Sequence, residues 1–228
     1  TEPATLTRLA VFADPWPGVV TIWRSSDGTR FEPFASATAP SIIGETLDDL
    51  SPGPASRWNR FHEFRVRLFG GTLAAIGDRQ VLDGGNAAAL RRPDGAWEVM
   101  QFGGAELVDT DTYRLTRLLR GQAGSEWAMG DPLPAGAPFV LLDRHVVAIA
   151  SGSEVIDRAM ELRIVASGRS HDDASATAMT VTPTRTALLP LSPVHALARR
   201  RSDGVHFSWV RRTRKSGDGW SGEVPLGE

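Results

Sequence analysis

Hydrophobic and polar residues alternate with period two along much of the chain, which is the signature of half-buried strands. Phe64, Val66 and Leu68 alternate with Glu63, Arg65 and Arg67. Tyr113, Leu115 and Arg117 are expected on one face of a strand, with Arg114, Thr116 and Leu118 on the other. Met160, Leu162 and Ile164 alternate with Glu161, Arg163 and Val165, although residues 154–163 also admit a helix. Val205, Phe207 and Trp209 share a face against His206 and Ser208. The apolar runs 139–142 and 146–150 have the length of core strands. Near the N-terminus, residues 6–13, 19–23 and 29–34 predict a meander of three strands. Its connections are Asp14-Pro15-Trp16-Pro17-Gly18 and Ser26-Asp27-Gly28, because proline and glycine at these places exclude helix and permit tight turns.

Further along, residues 72–76 and 80–82 read as short strands around a Gly77-Asp78 turn. Residues 87–90 and 97–102 form a predicted hairpin with Asp94-Gly95 at its tip. Gly103-Gly104 divides it from the strand at 113–118, which ends in the shaped loop Arg120-Gly121-Gln122-Ala123-Gly124, where two glycines admit backbone angles closed to other residues. Residues 35–57 predict a loop carrying at most one short strand, and residues 167–180 a small, polar segment. A boundary falls near Pro190-Leu191-Ser192-Pro193, dividing the chain into a domain over 1–189, open to two subdomains, and a module over 190–228. In that second module only two strands are visible, around Ser202-Asp203-Gly204, with Trp209 as the expected core anchor of a β-sandwich. An isolated hairpin is marginal by itself, so the module is read as incomplete. The chain opens on Thr1-Glu2-Pro3, which suggests a piece of a longer protein. The fold class expected is all-β, with short antiparallel strands in sandwich- or barrel-like domains.

Composition narrows the functions. The 228 residues carry a formal net charge of −2, which gives no general attraction to nucleic acid. There are 0 cysteines, excluding disulfides, thiol nucleophiles and thiolate metal sites. None of His62, His145, His171, His195 and His206 forms a helical metal pair, so no metal or cofactor is expected. His171-Asp172-Asp173 is the nearest approach to a ligand cluster and reads better as a solvated loop. Asp109 and Asp111, with Glu106 nearby, share a face if the strand is regular there and could act as paired carboxylates on a sugar. Turn formation is the more common use of such residues. Arg199, Arg200, Arg201, Arg211, Arg212, Arg214 and Lys215 make the last hairpin basic, which reads first as a solvated face or a contact to an acidic neighbouring subunit and second as a site for lipid headgroup, polysaccharide or nucleic acid. Trp16, Trp58 and Trp220 lie at loops, where tryptophan often serves an interface.

Several stretches together resemble the C-terminal region of siphophage tail-tip host-specificity proteins, and most closely the baseplate megatron family of gene transfer agents. They are Asp14-Pro15-Trp16-Pro17-Gly18, Phe64-Arg65-Val66-Arg67-Leu68, Gly85-Asn86-Ala87 and Trp97-Glu98-Val99-Met100-Gln101-Phe102. Next comes Leu118-Leu119-Arg120-Gly121-Gln122-Ala123-Gly124-Ser125-Glu126, the most specific of them, followed by Phe139-Val140-Leu141-Leu142-Asp143. The last are Pro190-Leu191-Ser192-Pro193-Val194-His195 and Phe207-Ser208-Trp209-Val210-Arg211-Arg212-Thr213-Arg214. The resemblance implies a structural part of the tail tip of a phage-like particle, assembled in the bacterial cytoplasm as a homotrimer around the tail axis. It implies partners among tail and baseplate proteins, closure of the tail channel, and contact with the recipient envelope through polysaccharide or outer membrane. It also implies that residues 190–228 begin a fibronectin type III-like module. Relatives of full length carry a glycoside-hydrolase-like barrel that nothing in this sequence matches. The expectation is therefore a non-enzymatic scaffold, with no catalytic or cofactor-binding residue and no specific nucleic-acid contact, whose interaction candidates are Trp16, Trp58, Arg120, Gln122, Arg211 and Arg212. The rival is a carbohydrate- or surface-binding β-sandwich module of a secreted enzyme.

Overall fold

The computed structural model describes residues 5–212, and their regular secondary structure is almost all strand. In chain order the strands are β1 (Thr5–Leu9), β2 (Val20–Ser25), β3 (Glu32–Ala37), β4 (Ile43–Thr46), β5 (Trp58–Asn59), β6 (Phe64–Leu68), β7 (Ala87–Arg91) and β8 (Trp97–Asp109). Then follow β9 (Thr112–Gln122), β10 (Pro138–Leu141), β11 (Val147–Ser151), β12 (Met160–Ala166), β13 (Thr177–Val181), β14 (Val194–Arg201) and β15 (Gly204–Val210). One short helix, α1, spans Asp78–Leu82. The all-β class expected from alternation is what the structure has.

Six strands close on themselves. The order β9–β6–β4–β10–β7–β8 returns to β9 through the long β8–β9 hairpin, and every pairing in the ring is antiparallel. Closure removes the unpaired edges that an open sheet would present. The strand β5 joins only the C-terminal half of β9, through Trp58–Leu119 and Asn59–Leu118. Phe64, Val66, Leu68, Leu90, Met100, Phe102, Leu115, Leu118 and Phe139 fill the interior, with Leu50 and Leu133 in the same cluster. Each fully buried side chain of this kind contributes at most about 1.5–3 kcal/mol. An eight-stranded barrel has just enough interior for side chains, so six strands leave a solid core and no channel.

The barrel is an insertion. Residues before and after it make a second body, with sheet order β13–β12–β2–β3 and a separate β1–β11 ribbon. Ribbon and sheet share one apolar cluster that includes Leu9, Val20, Ile22, Ile149, Met160 and Leu162. At the neck, where the chain enters and leaves the barrel, Ser41 is 1% exposed. Its Oγ accepts a hydrogen bond from the Val11 amide at 3.0 Å and donates to the His145 carbonyl at 3.1 Å. The Ser41 amide donates to the Val11 carbonyl at 2.7 Å.

Five local expectations are corrected. The first meander does not form, because β1 pairs with the distant β11 and leaves β2–β3 as a hairpin. Residues 72–76 make no strand, and residues 80–82 belong to α1. Gln80 Oε1 accepts from the Gly77 amide at 3.0 Å and caps that helix. Gly103-Gly104 is not a break, since β8 runs through it. A Cβ on Gly104 would stand 2.0 Å from Thr116 Oγ1 of the paired strand, so the glycine permits close approach. In β9 the backbone at Arg117 turns to φ 52°, after which Leu118 rather than Arg117 is buried. The segment 167–180 ends in β13, which pairs with β12.

The chain divides into two compact units, Thr1–Pro183 and Thr184–Glu228. In the second unit β14 and β15 form a hairpin, with a bulge where His195 takes φ 54°. Trp209 is 58% and Phe207 70% exposed, so the expected sandwich anchor is not buried among the described residues. Among the described residues of this unit, β14 and β15 are paired only with each other.

Candidate interaction surfaces

The loop that ends β9 is stitched to its surroundings from within. Gly121 (φ +63°) and Gly124 (φ +79°) both lie in the left-handed region, as two glycines at this spacing suggest. A Cβ on Gly121 would come 2.7 Å from Met129 Sδ and 3.0 Å from the Glu126 Cα, so the following 3₁₀ turn, Glu126–Met129, packs directly on it. Ser125 Oγ accepts from the Val99 amide at 2.8 Å and lies 2.8 Å from the Gln122 carbonyl, to which it donates.

Arg120 does not belong to a surface. Its side chain and that of Glu98 are both 0% exposed. The Arg120 Nε and Nη2 donate to the two Glu98 carboxylate oxygens at 2.7 and 2.5 Å, while Nη1 donates to the Ser51 carbonyl at 2.5 Å. The expectation of a contact residue is corrected: the guanidinium ties β9, β8 and the 47–57 loop together inside the fold. Gln122 is half-buried and donates to the Arg120 carbonyl at 3.1 Å. Sequence reasoning passed over Glu98, although it shares the inward face of β8 with Met100 and Phe102. A carboxylate at such a position requires a cation beside it, and that was the available signal.

The remaining tryptophans and arginines are distributed. Trp16 is half-buried against the cluster of the second body. Trp58, also half-buried, lies under the Arg60 guanidinium, whose Cζ is 5.2 Å from the ring centroid. Trp220, Arg214 and Lys215 lie outside the described residues. Arg211 is exposed, and Arg212 Nε donates to the Ser192 carbonyl at 2.9 Å. Arg211 and Arg212 therefore share the second unit, whereas Trp16, Trp58, Arg120 and Gln122 lie in the first.

The candidate acids are used locally. β8 ends at Asp109, whose Oδ1 accepts from the Thr110 amide at 2.7 Å, and Asp111 sits in the turn with φ 50°. The regular strand that would set Asp109 and Asp111 on one face is thus interrupted. Glu106 pairs with Arg114 at 2.6 Å, and this holds the arginine above its ordinary pKa. A cleft of about 430 Å³ beside them also contains Asp48 and Arg65, joined at 2.6 Å. The Arg65 guanidinium bonded to Asp48 holds that carboxyl below the usual carboxylate range. His171 stacks on Phe31 at 4.8 Å and meets Trp23 edge-on at 5.4 Å. Its ring therefore packs against aromatics in a segment that composition marks as solvated.

The outer wall of the barrel is lined by ion pairs. Arg67 pairs with Glu45, Arg65 with Asp48, and Arg114 with Glu106. Among the described residues no group of three or more histidines and carboxylates is placed to hold a metal ion. No helix there is long and apolar enough to cross a membrane.

Residues 41–140 match the family described as Rcc01698-like, C-terminal. That span covers less than half of the 228 residues, and it coincides with the barrel, whose strands run from Ile43 to Leu141. The similarity is thus to one structural unit, with the surrounding β1–β3 and β11–β13 body outside it. A comparison with curated proteins finds no match to the chain.

Proposed function

We propose that this chain is a structural component of the baseplate or tail tip of a phage-like particle of the gene transfer agent type. The observation that carries the reading is the closed, solid barrel over 43–141, which carries the Leu118–Glu126 motif at the end of β9 and coincides with the family match. Such a barrel supplies rigidity with an interior filled by side chains, which suits a subunit that transmits contact rather than chemistry. The Arg120–Glu98 pair supports this, because the most specific motif is spent on holding strands together. In this reading neighbouring tail proteins and a threefold ring of copies meet the outer surfaces, and exposed loops face the recipient envelope. Sedimentation of a native extract tests it: the protein should travel with particles many times its own mass. Recovery of the protein free of any particle contradicts it.

One observation favours a second reading. Phe207 and Trp209 are both exposed on one face of β15, two residues and about 7 Å apart, a spacing on which a sugar chain can stack. A polysaccharide pull-down with the Phe207→Ala/Trp209→Ala variant separates a glycan-binding module from the scaffold.

A further inference from the structure

We infer that the neck between the two bodies of the first unit is a binding site for a small oxyanion of the phosphate class. A cavity of about 400 Å³ opens there, and its polar lining is Arg8 from β1, Ser36 from β3, Thr38, Asp143, Arg144 and His145. Arg8 and Arg144 bring two permanent positive charges to one concavity. Among the described residues neither makes an ion pair with a carboxylate, unlike the arginines of the barrel wall. The one carboxylate in the lining is already committed. Asp143 Oδ1 accepts from the His145 amide at 2.9 Å, and its Oδ2 lies 3.0 Å from His145 Nδ1. Arg144 Nε donates to His145 Nε2 at 3.3 Å, which orients that guanidinium and leaves its two Nη groups for another acceptor. The His145 ring, set between Asp143 Oδ2 and Arg144 Nε, braces the arginine.

Both arginines are exposed at the rim of this cavity, where an entering anion can reach them, and their forked donors match the oxygens of a phosphoryl group. The hydroxyls of Ser36 and Thr38 add donors of the kind that complete such sites. An oxyanion here would touch β1, β3 and the segment entering β11, which are the strands flanking the inserted barrel.

The test is calorimetric titration of the whole chain with inorganic phosphate, and separately with glycerol phosphate, against sodium chloride at matched ionic strength. Saturable binding of either phosphate at one site per chain is expected. The double variant Arg8→Gln/Arg144→Gln should weaken it roughly tenfold or more, whereas Arg79→Gln on α1, outside the cavity, should leave it unchanged. Tighter binding of glycerol phosphate indicates a phosphate carried on a larger molecule, and tighter binding of inorganic phosphate indicates the free ion. A response that chloride reproduces overturns the inference, as does equal loss in the double variant and Arg79→Gln. Arg144→Lys keeps the charge and loses the fork, so intermediate affinity is expected there. Circular dichroism of each variant confirms that the fold is retained.

Discussion

The guanidinium of Arg120 and the carboxylate of Glu98 face each other inside the barrel, joined by two hydrogen bonds and shielded completely from solvent. They bridge β9 and β8, the two strands with which the ring closes. A buried pair of this kind gives little net stability relative to an apolar pair of the same size, because both charges lose their hydration. Its consequence is asymmetry: removing one partner strands the other.

Arg120→Met should therefore cost about 3–5 kcal/mol, because Glu98 is left charged and buried. Combining it with Glu98→Leu should recover much of that loss. Urea unfolding of the two single variants and the double variant measures the coupling. Strictly additive losses would show that the pair does not act as a unit.

Ser41 joins the neck through one hydroxyl that both accepts and donates. Ser41→Ala leaves the Val11 amide and the His145 carbonyl without that partner, at an expected cost of about 1–3 kcal/mol. The barrel should remain closed while the flanking body loosens. Hydrogen exchange that rises in β1 and β11 but not in β7–β9 would bear this out; uniform change would not.

Gly121→Ala places a methyl group against Met129 and Glu126 at a positive φ. Both effects oppose folding, and a loss of roughly 1–3 kcal/mol is expected. Gly136→Ala is the control, since its φ is also positive (+81°) but nothing lies within 4 Å of the added carbon. A similar loss in both variants would assign the cost to φ alone.

The acid limb of stability follows from Asp48. Arg65 lowers the folded-state pKa of this carboxyl, so the pair stabilises the protein above the unfolded value of about 3.9, and that contribution is lost as pH falls through the lowered folded value. Asp78, lowered first by its hydrogen bond to Arg60, acts in the same direction. Denaturation midpoints measured from pH 7 down to pH 2 should fall mainly below pH 4, and Arg65→Gln should flatten the part due to Asp48. A curve of unchanged shape in that variant would remove the assignment.

What the sequence made legible were strands whose periodicity agreed with burial. In β6, Phe64, Val66 and Leu68 point inward as the alternation requires, because the strand packs on one side only. The hairpin at Asp94-Gly95 and the two glycines of the β9 loop were equally readable, since few residues tolerate those backbone angles. Pairing between distant strands was not. Nothing local tells β1 that its partner is β11, about 140 residues on, and so the insertion of the barrel was invisible. Gly103-Gly104 misled for a related reason: a glycine pair marks a turn or a close neighbour, and only the neighbour, Thr116, decides which. The role of Arg120 depended on Glu98, which lies inward in a strand whose mate could be identified only in three dimensions.

The central claim is that this protein works as a rigid part of a particle tail. Antibody raised against the barrel, residues 43–141, can be applied to purified particles and followed by gold labelling in the electron microscope. The account predicts gold confined to the tip of the tail. Gold spread over the capsid, or particles that carry none of the protein at all, would contradict it.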